Sequence, residues 1–252
     1  TARVLAMRGA FIVGAARTAE KAQAVLHRHG IEGAAVACEL SEPDSVRAAV
    51  EAIRSLGRQL DVIVCNAGIM ALPERKQSHG IELQFMTNHV GHFSFATGLL
   101  GALSADARVV VVSSGAHMMA PEAGIAFDDL GAEKSYDPWK NYGQSKLANV
   151  LFARELHKRF EGTGRVASSL HPGVIKTNLG RNNRQSVDAI FEQMDPAKVK
   201  NVPQGAATQC LLAAHPSGAA AAGRYYADCQ LKEPSALGQN DVRDLLHRIQ
   251  NA

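Results

Sequence analysis

Asp61-Val62-Ile63-Val64-Cys65-Asn66-Ala67-Gly68 runs apolar from Val62 to Cys65 and ends in a small polar turn. A strand with one wet face alternates apolar and polar residues, so a run apolar at every position belongs to a strand covered on both faces. The small residues behind it let backbone approach a ligand closely. Outward from this stretch the pattern repeats. Phe11-Ile12-Val13-Gly14-Ala15 and Ala34 to Cys38 read as strands, with the helical stretch Ala19 to His29 between them. Ser41-Glu42-Pro43-Asp44 starts a helix, because proline sits early and Val46, Val50 and Ile53 recur at helical spacing. Downstream, Val109 to Val112 is a fourth strand, Arg165 to His171 a fifth and Gly223-Arg224-Tyr225-Tyr226 a short last one. Strands separated by helices build parallel β-α-β units with right-handed crossovers. The expected fold is a doubly wound parallel α/β sheet in a single domain, residues 1–252.

Composition agrees with one soluble domain. A chain of 252 residues, 46% hydrophobic, fills a large core, and 5% aromatic residues are too few for nucleic-acid stacking platforms. The net charge of +3 is scattered; it suits a phosphorylated cofactor and makes no case for a nucleic-acid or membrane partner. Cys38, Cys65, Cys210 and Cys229 lie far apart without a Cys-x-x-Cys pair, which reads as a reduced, intracellular chain. No apolar stretch reaches the roughly 18 residues that span a bilayer, and no signal peptide is recognisable. The expected compartment is the cytoplasm, or an organelle such as the chloroplast if a targeting segment precedes Thr1.

The first residues depart from the pattern. Thr1 to Arg8 reads as the C-terminal part of a helix ended by Gly9, and the strand after it leads to Arg17. A doubly wound sheet opens with a strand and a glycine-rich turn before such a helix. Both are missing here, and that first strand is central, so its absence leaves two unpaired edges inside the sheet. An upstream segment carrying strand and turn is therefore expected in the natural polypeptide.

Candidate chemistry collects at the carboxyl ends of the strands, where open α/β sheets bind ligands. Tyr142-Gly143-Gln144-Ser145-Lys146 opens a long amphipathic helix running to Phe160, and residues four apart share a helical face. Tyrosine titrates near 10 in water, so proton transfer at neutral pH needs a neighbouring cation, which Lys146 would be. The plainer alternative is a surface pair. Ser113-Ser114 ends the Val109–Val112 strand, Asn66-Ala67-Gly68 follows the preceding one, and His171-Pro172-Gly173-Val174-Ile175-Lys176-Thr177 follows the next. Each alone reads as a turn; together, in this order, they argue for a site. Arg17 ends the strand after which an NAD enzyme usually carries an acidic residue, and its planar cation suits a 2′-phosphate. Its alternative is a solvent-facing loop arginine. His89, His92 and His117 lack zinc-site spacing and are expected in the core or behind the site, so no metal is expected.

These residues resemble the short-chain dehydrogenase/reductase family, with a Rossmann-type fold, over nearly the whole chain. The set is Asn66-Ala67-Gly68, Asn88, Ser114, Tyr142-x-x-x-Lys146 and Pro172-Gly173. Thr87-Asn88-His89-Val90-Gly91-His92-Phe93, Ser113-Ser114-Gly115-Ala116-His117 and Tyr142-Gly143-Gln144-Ser145-Lys146-Leu147-Ala148-Asn149 resemble its retinol-dehydrogenase-like branch, including plant chloroplast translocon-associated members. The separation of Ser114 from Tyr142, longer than is usual in the family, also resembles that branch. The resemblance implies that Tyr142 donates a proton to the substrate oxygen while nicotinamide delivers hydride. Lys146 would lower the tyrosine pKa and hold the nicotinamide ribose. Ser114 would bind the carbonyl oxygen, and Asn88 would hold a water that passes protons toward Lys146. Asn66, Ala67, Gly68, Pro172 and Gly173 would border the cofactor, with Ile175 and Thr177 at its carboxamide end. Glu39-Leu40 stands where relatives carry Asp-Leu near the adenine. The Thr-Gly-x-x-x-Gly-x-Gly loop of the family is missing. The implied cofactor is NADP(H), with NAD(H) as the alternative.

Met118 to Trp139 and Leu179 to Val202 are expected to wall the substrate. Their Met118, Met119, Phe127, Trp139, Ile190, Phe191 and Met194 suit a bulky apolar carbonyl or alcohol such as a retinoid, steroid, lipid aldehyde or xenobiotic ketone. Read otherwise, they are lid and core residues. Two other functions stay open: a binding or regulatory protein that keeps the fold without turnover, and a reductase of a tetrapyrrole-like substrate. A homo-oligomer is also open.

Overall fold

The computed structural model describes residues 1–239. Short helix α1 (Ala2–Ala6) leads to β1 (Ile12–Ala16). Helix α2 (Ala19–Arg28) follows, its first turn capped by the Thr18 hydroxyl, which accepts from Lys21 N–H. After β2 (Gly33–Ala37), α3 (Pro43–Arg54) starts on its proline and buries Val46, Ala49, Val50 and Ile53, the face its spacing foretold. Strand β3 (Leu60–Cys65) precedes a tight hairpin of β4 (Gln77–Ser78) and β5 (Ile81–Glu82). Helix α4 (Leu83–Phe85), a π-helical turn at Met86–Val90 and α5 (Gly91–Gly98) run on continuously. Strand β6 (Leu103–Val112), helix α6 (Pro138–Arg159), β7 (Val166–His171) and β8 (Val174–Ile175) come next. The chain continues through α7 (Arg184–Gln193), β9 (Val199–Lys200), α8 (Val202–Ala214), β10 (Tyr225–Ala227), β11 (Gln230–Lys232) and α9 (Ala236–Gln239).

The main sheet has the order β11-β10-β7-β6-β3, parallel except for β11. Helices α3, α5 and α6 cover one face through Val50, Ile53, Ala96, Leu99, Phe152 and Leu156, packed on Val109 and Val111. Helix α8 covers the other, with Leu212 and Ala213 on Val110, Val112 and Leu170. Helices on both faces make the fold doubly wound. Each fully buried Phe or Leu of these layers contributes about 1.5–3 kcal/mol.

Strands β1 and β2 form a separate parallel pair, Ile12 opposite Gly33 through Ala16 opposite Ala37. No strand among the described residues pairs with the open edges of β1 and β3. The expected gap in the sheet is thus present. It also explains a difference in burial. Val109–Val112 of β6 are buried throughout, whereas β1 and the Val62 and Val64 side chains of β3 stay partly exposed despite equally apolar sequence.

Helix α6 differs from expectation in two ways. It starts at Pro138, a turn before Tyr142, because the Asp137 carboxylate caps the Trp139 and Lys140 N–H groups. Nor is its first half amphipathic: every residue from Tyr142 to Ala153 is buried. The sheet lies on one side of it, and the Gly115–Met119 turn with α4 and the π-helical turn on the other.

Candidate active site

Since β1, β2, β3, β6 and β7 are parallel within their sheets, Arg17, Glu39, Asn66, Ser114 and Pro172 all follow the carboxyl ends of strands. The centre is built where β6 meets α6. Tyr142 and Lys146 are 3% and 4% exposed. The Lys146 ammonium lies 5.7 Å from the Tyr142 ring centroid. Ser114 opens the Gly115–Met119 turn by accepting from Ala116 N–H, and its hydroxyl lies near enough to Tyr142 to favour the ionised phenol. Lys146 Nζ donates to Val112 O at 3.2 Å, and the Ser113 hydroxyl donates to Lys146 O at 2.7 Å. The last residues of β6 thereby fix the helical turn that carries the lysine.

Burial pushes Tyr142 up to about 12, with Ser114 pulling the other way. Lys146 itself is pushed down to about 8 by burial, slightly offset by Cys65. The ammonium lies over the Tyr142 ring and donates to Val112 O. The phenol is therefore protonated at neutral pH, as a proton donor must be.

Asn88 is fully buried in the π-helical turn. Its Oδ1 accepts from Ile69 N–H at 2.9 Å, and its Nδ2 donates to Ile69 O at 2.9 Å and Ser145 Oγ at 3.0 Å. Both amide hydrogens are thus engaged, and its backbone carbonyl meets His92 Nδ1 at 3.0 Å. The side chain ties the Gly68–Ile69 loop to α6 rather than presenting a free donor to water. A Cβ at Gly68 would come 2.9 Å from Asn88 Oδ1 and 3.7 Å from Lys146 Nζ, so a side chain here would press on the Asn88 amide.

The remaining candidates surround this centre. Asn66 Oδ1 accepts from Gln209 Nε2 at 3.3 Å, and Ala67 beside it is exposed. Gly173 takes φ +94, and the Pro172–Gly173 turn is held by Lys200, which donates to Pro172 O at 3.2 Å and pairs with Asp228. Ile175 pairs with Lys200 across β8 and β9, and the exposed Thr177 caps the next turn by accepting from Leu179 N–H. Across the gap, Arg17 is exposed and has no ion pair among the described residues. Glu39 Oε1 is occupied locally by the Ser41 N–H and hydroxyl, and Leu40 is buried.

Of the expected wall, Trp139 stands edge-on to Tyr142 at 6.3 Å between centroids, and its indole N–H reaches Ser186 Oγ of α7 at 3.4 Å. Met118 and Met119 are exposed. Phe127 instead packs on the core formed by Phe85, Leu147 and Leu151, because the Phe127–Asp129 turn folds back onto α6. His89, His92 and His117 are buried, and among the described residues no group of three metal-binding side chains assembles. Sequence patterning did not reveal Lys200–Asp228 or Asn149, whose amide shares the Val112 carbonyl with Lys146. Asn149 lay inside the quoted motif, but its partners come from distant elements.

Comparison with known proteins gives the family. The short chain dehydrogenase family model matches residues 1–128. The chloroplastic short-chain dehydrogenase TIC 32 B of Brassica napus is 38% identical over 250 residues, covering 93% of this chain and 77% of that protein. Human retinol dehydrogenase 14 is 41% identical over 213 residues, covering 82% of this chain and 62% of that protein. A short chain dehydrogenase from Burkholderia cenocepacia J2315, solved in complex with NADP, shares the fold at TM-score 0.69 and 21% identity, over 89% of this chain and 88% of that one. The matched family and relatives define the class as an oxidoreductase. The chain belongs to the short chain dehydrogenase family, with retinol-dehydrogenase-like relatives.

Proposed function

We propose that the protein is an NADP(H)-dependent oxidoreductase acting on the carbonyl or alcohol of a bulky apolar substrate. The convergence of Ser114, Tyr142 and Lys146 carries this reading. The residues present fit a nicotinamide dinucleotide. Gly68 leaves backbone close to the lysine, and Lys146 uses one donor on Val112 O and keeps others for ribose hydroxyls. Arg17, exposed and without an ion pair among the described residues, would pair with a 2′-phosphate. The bound dinucleotide would supply hydride to the carbonyl carbon. Tyr142, protonated at neutral pH, gives its proton to the oxygen, Ser114 donates to the same oxygen, and the Lys146 charge stabilises the tyrosinate left behind. Trp139, edge-on to Tyr142 and linked to α7, supplies an apolar wall, which favours a large substrate over a small charged one.

Steady-state reduction of apolar aldehydes with NADPH and NADH, in wild type and Arg17→Glu, tests the reading. NADPH should be preferred, and the variant should weaken NADPH about tenfold, the low end for a charge-assisted bond because Arg17 is exposed, while NADH changes little. An unchanged ratio would remove Arg17 from recognition, and no turnover with either cofactor would sink the enzyme reading.

A further inference from the structure

Behind Lys146 lies a chain of buried polar groups that proton transfer does not use. Asn149 and His89 are both 0% exposed. Asn149 Nδ2 lies 3.1 Å from Val112 O, the carbonyl to which Lys146 Nζ donates at 3.2 Å. Asn149 Oδ1 lies 3.2 Å from His89 Nδ1. A carbonyl only accepts, so the Asn149 amide must turn its NH2 to Val112 and its oxygen to His89. His89 must then carry its hydrogen on Nδ1. The other ring nitrogen, Nε2, is buried without a hydrogen-bond partner, facing a box of Phe85, Phe93 and Phe152 at 5.3, 6.3 and 6.1 Å between centroids. A neutral imidazole with one bare nitrogen is a poor core filler where leucine would pack without loss. What it provides is orientation, since no other described group holds the asparagine oxygen.

We propose that Asn149, oriented by His89, is a positioning residue that holds the Val112 carbonyl as the seat of the Lys146 ammonium, and so sets where Lys146 stands and how tightly it keeps its proton. The inference rests on the reading of Lys146 as part of the reaction centre. Val112 ends β6 two residues before Ser114, and Ser113 closes the loop by donating to Lys146 O. Fixing this carbonyl therefore fixes Ser114 and Lys146 relative to each other. Because Asn149 shares the carbonyl, it leaves less electron density for the ammonium; without its N–H, Val112 O binds the charged lysine more strongly. The titratable groups facing Lys146 are Cys65 from β3, His89 and His92 from the helical run beyond β5, and Tyr142 from its own helix. Both histidines are neutral near pH 7, pushed down to about 4 chiefly by burial, so neither changes charge while Lys146 titrates.

The test is the titration midpoint of Lys146, read by carbon-13 NMR of its Cε and assigned with Lys146→Arg, in wild type, Asn149→Leu, Asn149→Ser, His89→Leu and His89→Asn. Asparagine places an N–H close to the position of imidazole Nδ1. The two Asn149 variants and His89→Leu should raise the midpoint by about half a unit or more, with His89→Asn returning it toward wild type. The base-side limb of the kcat/KM pH profile should move with it. Asn149→Ser and His89→Asn remain informative if the leucine variants do not fold. Coincident midpoints in folded variants would overturn the proposal. A moved midpoint in a protein that reduces no carbonyl would leave the positioning intact and refute the functional reading instead.

Discussion

Lys146→Met should make the protein more stable at pH 7. Lys146 is 4% exposed, and burial brings it from its usual 10.5 to about 8. At pH 7 the lysine is charged in both folded and unfolded chains, and the folded state bears the full burden of keeping it so. Between about pH 8 and 10.5 the unfolded chain keeps the proton while the folded one has lost it, so wild-type stability rises with pH. The shift corresponds to roughly 3 kcal/mol at about 1.4 kcal/mol per unit. Methionine fills similar volume but gives up the bond to Val112 O, worth about 1 kcal/mol, which leaves a net gain of about 2 kcal/mol. Tyr142 and Cys65, both pushed up to about 12, titrate in wild type and variant alike and largely cancel in the difference. Urea unfolding of both proteins at pH 7 and pH 10 is the assay. The variant should be the more stable at pH 7, with the advantage shrinking or reversing at pH 10. A variant less stable at pH 7, or an equal difference at both pH values, would refute the reasoning.

Two further outcomes follow from the periphery of the site. Trp139 is the chain's one tryptophan, so its fluorescence reports on the wall beside Tyr142 directly. Binding of an apolar aldehyde should change the emission, and Trp139→Ala should raise KM for bulky substrates about tenfold or more while small aldehydes change little; equal effects on both would remove Trp139 from the wall. The open edges of β1 and β3 predict that backbone N–H groups of β6, which is paired on both sides, exchange with deuterium more slowly than those of β1 and β3; equal protection would contradict this.

Much of the frame was legible because its signals are local. The all-apolar runs at Val109–Val112 and Val62–Cys65 and the helical spacing of Val46, Val50 and Ile53 each mark an element in sequence, and the structure places them as strands and helix, with Val62 and Val64 less buried than their sequence implied. The tyrosine motif drew the start of α6 one turn late, since the structure begins the helix at Pro138 on the Asp137 cap. The β4–β5 hairpin has two-residue strands, too short for any periodicity, and the π-helical turn at Met86–Val90 looks like ordinary helix in sequence. Side-chain partnerships were the least legible. Asn149 and His89 sit 60 residues apart, and Lys200 reaches back to Pro172 across 28. Such contacts exist only once the sheet brings the elements together. Burial likewise sets the Tyr142 pKa against the direction that residue spacing implied.

Tyr142→Phe tests the central claim most directly. The hydroxyl is removed, while the ring keeps its packing against Trp139 and its place over the Lys146 ammonium. The measurement is kcat/KM for NADPH-dependent reduction of an apolar aldehyde, beside a thermal melt and an NADPH titration of the same preparation. The account predicts an unchanged fold, retained NADPH binding and a loss of about 10² to 10⁴ in kcat/KM, the range of a positioned general acid. Turnover near the wild-type rate in a folded, NADPH-binding Tyr142→Phe protein would contradict it.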